Sequence, residues 1–147
     1  MSEKRFAIIV SRFNTTVTDA LLVGAKQRFT EHGITANCID IIRVAGAVEI
    51  PLIAQQYARQ NRHAAIVCLG AVIQGETRHF DYVCQQVSYG CQKVALDYNI
   101  PVIFGILTTH NAQQALARAD GTKRNKGADA VDAAIEMSQH LDAFKTR

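Results

Sequence analysis

Two prolines and nine glycines are all the backbone punctuation in 147 residues, and no apolar run reaches the roughly 20 residues a helix needs to cross a bilayer. With 48% hydrophobic and 20% charged residues, disorder and fibrous repeats are excluded, and one domain of ordinary size is expected over residues 1–147. The net charge of +3 lacks the dense basic stripe of a nucleic-acid binder but suits a phosphorylated small molecule. There is no C-x-x-C pair among Cys38, Cys68, Cys84 and Cys91, and helical spacing would hold Cys84 and Cys91 about 10 Å apart, beyond bridging distance. Reduced core thiols and a cytoplasmic location are the expectation. No H-E-x-x-H or other metal-ligand spacing is present, nor a G-x-S-x-G elbow or a G-x-G-x-x-G turn, so the residues call for no metal, serine nucleophile or dinucleotide.

What is present is an alternation of short apolar runs with longer segments of helical period, which predicts an α/β fold with a four-stranded parallel sheet and helices on both faces. Strands are predicted at 6–10, 38–42, 64–73 and 102–107, the third almost uninterruptedly apolar and hence central. Thr18 is the expected cap of a helix with a Leu21, Leu22, Ala25 and Phe29 stripe, and Pro51 lies near the start of a second, with Ile53, Ala54 and Tyr57 facing the core. Val83, Val87, Gly90, Val94 and Tyr98 mark a third helix, and Asn111 caps a short one running to Arg118. A loop over 120–127, with Lys123, Arg124 and Lys126, precedes a last helix carrying Ala128, Val131, Ile135, Ser138 and Leu141. The N-terminal stretch, Met1 to Arg5, reads as the approach to a strand rather than a signal peptide.

Ligands of open parallel sheets bind beyond the carboxyl ends of the strands, which here are residues 11–14, 45–49, 74–79 and 108–111. Residues 70–77 have the spacing of a phosphate-binding loop, but Glu76 stands where that loop needs lysine and 70–73 read as strand, which excludes ATP and GTP. His79 is either a surface histidine near a helix start or a proton carrier at the crevice mouth, in the company of Glu76 and Thr77. Glu49 either caps the helix near Pro51 or accepts hydrogen bonds from ligand hydroxyls. Phe13 is a stray surface aromatic or a stacking platform, and Arg118 a solvated helix residue or an anion ligand. His32, His63, His110 and His140 have no comparable setting, though His110 is at a strand exit.

Taken in order, Arg12-Phe13-Asn14, Gly46-Ala47-Val48-Glu49-Ile50-Pro51, the run from Gly70 to Val83, Phe104-Gly105-Ile106-Leu107-Thr108-Thr109 and Asn125-Lys126-Gly127 resemble the lumazine synthase family. The resemblance implies a flavodoxin-like three-layer sandwich. The implied reaction is condensation of 5-amino-6-(D-ribitylamino)uracil with 3,4-dihydroxy-2-butanone 4-phosphate to 6,7-dimethyl-8-ribityllumazine, in riboflavin biosynthesis, without a cofactor. By resemblance Phe13 stacks on the pyrimidine, backbone groups of Ala71, Val72 and Ile73 bind its polar edge, and Ala47, Val48 and Glu49 line the ribityl chain. Backbone groups of Glu76 and Thr77 hold the phosphate with Arg118, and Lys126 lies near that end. His79 shuttles protons, and Phe104 walls a pocket completed across a subunit boundary. A homo-oligomer, a pentamer or a multiple of pentamers, is implied, with neither nucleic acid nor membrane as partner. Ala45, Val48, Gln74, His110 and Gln113 depart from the family pattern, with Gln74 replacing a basic residue and His110 an acidic one. Alternatives are a low-activity lumazine- or flavin-binding or shell-forming relative and, fitting the run from Gly75 to Phe80 less well, the archaeal-type riboflavin synthase.

Overall fold

A computed structural model describes residues 3–122 and 124–145, so Lys123 of the predicted loop and Met1 and Ser2 lie outside the described residues. The strands β1 (Phe6–Ser11), β2 (Ile39–Val44), β3 (Ala65–Ile73) and β4 (Val102–Thr109) form one parallel sheet in the order β2-β1-β3-β4. The helices α1 (Thr15–Glu31) and α5 (Lys126–Lys145) cover one face, and α2 (Ile50–Gln60) and α3 (His79–Tyr98) cover the other. A short helix, α4 (Ala112–Ala117), follows β4. This is the expected flavodoxin-like α/β sandwich.

Side chains alternate across a strand, so a strand buried on both sides must be apolar at every position. On β3, Ala65, Val67, Leu69 and Ala71 enter the core beneath α1 and α5, while Ile66, Cys68 and Val72 enter the one beneath α2 and α3. The same split on β1 sends Phe6, Ile8 and Val10 one way and Ala7 and Ile9 the other. Phe6 meets Phe29 of α1 with ring centroids 5.0 Å apart. Full burial of a side chain of this size contributes about 1.5–3 kcal/mol. The predicted stripes on α1 and α2, that on α5 apart from the half-buried Leu141, and Val87 and Val94 of α3 are turned inward, whereas Tyr98 is exposed.

The differences from expectation lie at the ends of elements. β2 starts one residue later than predicted and runs on to Val44, because Arg43 and Val44 pair with Val10 and Ser11. β4 gains Thr108 and Thr109 by pairing with Val72 and Ile73. Backbone pairing carries the strands through Arg43, Thr108 and Thr109, whose side chains give no apolar signal. Thr18 is not the cap of α1. The turn is made by Asn14 in the left-handed region (φ 61°), a conformation asparagine tolerates, and Thr18 sits inside the first turn with its Oγ1 donating to the Asn14 carbonyl. Asn111 does cap α4, its side chain accepting the Gln114 N–H at 2.8 Å. α5 begins at Lys126, shortening the predicted loop.

All four cysteines stand as free thiols, with Cys38, Cys68 and Cys91 buried. Contact with Cys91 together with burial pushes the Cys68 thiol well above the usual range, keeping it protonated and unreactive. Among the described residues no helix is long and apolar enough to cross a membrane.

Candidate functional site

β1 leaves the sheet through Arg12 and Phe13, whose N–H groups donate to the carbonyls of Val44 (2.7 Å) and Ala45 (3.1 Å), prolonging the β1–β2 ladder. The prolongation fixes Phe13, 62% exposed as a residue, beside the segment that follows β2. That segment turns at once. Gly46 is extended, Ala47–Glu49 make one turn of 3-10 helix, and the Gly46 N–H donates to Glu49 Oε1 at 3.1 Å. The Glu49 carboxylate is thus tied to the turn before α2 and makes no cap bond to α2 itself, against the capping reading, and it still lines the cavity beside Phe13.

This cavity, of about 350 Å³, opens between the exits of β1, β2 and β3 and the start of α3. Ala47, Ala71 and Val72 form a buried apolar floor, and Ile73, Val48, Phe80 and Val83 close the sides. His79, the first residue of α3, brings an exposed imidazole to the wall, and its backbone N–H donates to Thr77 Oγ1 at 3.3 Å. The sheet adds a further polar element. β3 pairs with β1 only as far as Leu69 but with β4 as far as Ile73, so beyond Leu69 its β1-facing edge has no strand beside it. Unpaired backbone groups at a strand edge are free hydrogen-bonding partners for a planar ligand.

A second cavity, of about 520 Å³, lies against β4 and takes Phe104, Ile106, Thr108 and Thr109 on one side, with Arg118, Arg124, Lys126 and Asp129 on the other. Its cations are anchored from beneath by Asn125. The Asn125 Nδ2 donates to the carbonyls of Ala119 (2.6 Å) and Ala20 (3.1 Å), while Oδ1 accepts the Ala128 N–H (3.0 Å) and so caps α5. The Lys126 N–H then reaches the Arg118 carbonyl at 2.8 Å, pinning the backbones of two cations together. Arg118 itself donates from Nη1 to the Gln114 carbonyl at 2.9 Å. Close approach of α1 and α5 at this point demands glycine. A Cβ on Gly127 would stand 2.1 Å from the Leu21 carbonyl oxygen, and one on Gly24 2.2 Å from the Asn125 side chain. In the connector before α5, hydrogen bonds from Thr122 hold the Asp120 carboxyl below its ordinary value.

The residues singled out from the sequence therefore fall into two sets. Phe13, Ala47, Val48, Glu49, Ala71, Val72, Ile73 and His79 share the first cavity, and Phe104, Arg118 and Lys126 share the second. No residue lines both. Glu76 and Thr77 lie exposed on the β3–α3 connector and line neither, so a single chain does not bring them together with Arg118. Gln74 and His110, two departures from the family pattern, are hydrogen-bonded to each other through Oε1 and Nδ1, which links the exits of β3 and β4. Sequence reasoning missed Asn125 as an anchor, although an asparagine immediately before a helix is a recognisable cap signal. It also missed Phe80 and Val83 as cavity walls, and Asp129 as a neighbour of the cations. Among the described residues no group of three or more His, Cys, Asp or Glu side chains converges to hold a metal ion.

The family model for 6,7-dimethyl-8-ribityllumazine synthase matches residues 3–142. A protein of that name from Coxiella burnetii is 58% identical over 139 residues, covering 93% of this chain and 92% of its own. Another from Desulfotalea psychrophila is 48% identical over 142 residues, covering 97% and 92%. With a family match over nearly its whole length and relatives of this identity, the chain belongs to the 6,7-dimethyl-8-ribityllumazine synthase family.

Proposed function

We propose that this chain, as one domain, condenses 5-amino-6-(D-ribitylamino)uracil with 3,4-dihydroxy-2-butanone 4-phosphate to give 6,7-dimethyl-8-ribityllumazine, phosphate and water. Family membership carries the reaction. The observation that supports it most directly is the first cavity, where an exposed aromatic ring, a tethered carboxylate, an imidazole and a free strand edge surround an apolar floor. Phe13 stacks on the pyrimidine, and the backbone of Ala71, Val72 and Ile73 pairs with its polar edge. Ala47, Val48 and Glu49 line the ribityl chain, with the carboxylate accepting from hydroxyls.

The phosphate needs cations, and the first cavity has none, whereas the second has Arg118 and Lys126 but no stacking ring at a strand exit. The proposal joins the two across a boundary between copies of the chain. Glu76 and Thr77, whose amides have no acceptor among the described residues, then meet Arg118 and Lys126 of a neighbouring copy around the phosphate, with Phe104 as a wall. On α3, Tyr82, Tyr89 and Leu96 stand exposed at seven-residue spacing, an apolar seam suited to a facing helix. Head-to-tail repetition of one interface closes into a ring, and a pentamer or a multiple of it is the assembly proposed. Its buried free thiols accord with a cytoplasmic location.

The chemistry follows from the residues. The amine of the uracil attacks the ketone, an imine forms with loss of water, phosphate is eliminated, and ring closure expels a second water. Each step moves protons near neutral pH without a change of oxidation state, work suited to His79. Holding two reactants in one crevice supplies the rest of the acceleration by orientation. Mixing the purified protein with both substrates and following lumazine fluorescence tests the proposal. Production above the uncatalysed rate is expected, and tight binding of the lumazine without excess production would favour a binding or shell-forming protein instead.

A further inference from the structure

The second cavity holds a cation that the reaction scheme above leaves unused. Arg124 belongs to the connector between α4 and α5, with a side chain 73% exposed, and its Nε lies 2.6 Å from Asp129 Oδ2. Asp129 is in the first turn of α5, its own side chain only 29% exposed, and both residues line the same 520 Å³ cavity as Arg118 and Lys126. Three cations against one carboxylate leave this cavity positive. An ion pair so open to water adds little to stability, so its consequence lies in geometry. With Nε set against Asp129, the carboxylate restricts where the guanidinium can lie and leaves its terminal Nη edge to other partners. Among the described residues nothing besides Asp129 pairs with this side chain. A guanidinium held by one edge presents the donor pair that matches two oxygens of a phosphate, which carries close to two negative charges near neutral pH.

We infer that Arg124 is a further binding residue for the phosphate of the four-carbon substrate, and that Asp129 is the positioning residue that aims it. This rests on the reaction proposed above and adds a third cation to its phosphate end. Two readouts test it on the full chain, the KM for each substrate and calorimetric titration with inorganic phosphate, which needs no turnover. Arg124→Ala should raise the KM for the phosphate substrate and the Kd for inorganic phosphate about fivefold, against less than twofold for the uracil amine. Arg124→Lys keeps the charge but loses the planar fork and should fall between the two. Asp129→Asn makes the cavity more positive, so charge alone predicts tighter phosphate, whereas loss of the tether predicts binding about twofold weaker. Tighter phosphate in Asp129→Asn would overturn the positioning role. Unchanged phosphate binding in Arg124→Ala, in a protein whose wild type makes lumazine, would overturn the inference while leaving the reaction standing. Weakened phosphate binding in Arg124→Ala, in a protein whose wild type makes no lumazine, would uphold the anion site and bring down the reaction.

Discussion

At the amino ends of the strands His63 has a side chain with no solvent exposure, bonded through Nε2 to Asp40 at 2.7 Å and packed edge-on against Tyr57. At the carboxyl ends His79 stands exposed with no side-chain partner among the described residues. Arg5, just before β1, completes the first group by pairing with Asp40 at 2.9 Å, so one carboxylate ties together the starts of β1, β2 and β3. The hydrogen bond from His63 is the main reason the Asp40 carboxyl sits below its ordinary value of 3.8. The difference separates polar groups that hold the fold from polar groups held ready for something else. At the amino ends the side chains are turned on one another through Asp40, although Arg5 Nε and His63 Nδ1 are buried without a hydrogen-bond partner among the described residues. Where the ring, imidazole and strand edge of the rim face a cavity, their interactions are completed only by what enters it.

Changing one residue at each end should break this comparison if it is wrong. The largest effect is expected for His79→Ala, which should lower kcat about 100-fold while leaving the affinity for the uracil amine and the thermal midpoint close to wild type. Wild-type turnover in that variant would remove the imidazole from the proton transfers. Asp40→Ala should do the reverse. Removing the carboxylate that His63 and Arg5 share, with Arg5 keeping only its bond to the Asn37 carbonyl, should cost about 2 kcal/mol in urea unfolding, with KM for both substrates unchanged. The same group sets an acid limit. A carboxyl depressed in the folded state contributes stability above its ordinary pKa of 3.8 and loses it as pH falls through the lower folded value. The urea midpoint of the wild type should therefore drop below about pH 4, and that of Asp40→Asn should drop less. A smaller change is expected for Arg118→Ala, a roughly tenfold rise in KM for the phosphate substrate with little change for the uracil amine. Equal losses for the two substrates would place Arg118 elsewhere in the reaction.

Much of the architecture is legible in the sequence because burial on both faces leaves β1 and β3 no choice but continuous apolar residues, and the helical stripes repeat at the right period. The ends were harder to read. Arg43, Thr108 and Thr109 are strand residues only because a neighbouring strand supplies their hydrogen bonds, a long-range cause with no local mark. His63 looked unplaced for the same reason, its partner Asp40 lying 23 residues earlier in the chain. At the candidate site the motif residues were recognisable individually, and the eight of the first cavity do converge. Their separation from Arg118 and Lys126 was not visible, since motif order along a chain carries no distance between strand exits.

The central claim is that the two cavities are halves of one site on adjacent copies. Co-assembly of His79→Ala chains with Arg118→Ala chains, followed by the lumazine assay, tests it most directly. If each site draws on two copies, random mixing rebuilds an intact pair at about a quarter of the boundaries, and activity measured with the phosphate substrate well below its KM should rise toward that fraction of wild type. Activity that stays at the average of the two parent variants, in particles shown by native mass measurement to be mixed, would contradict it.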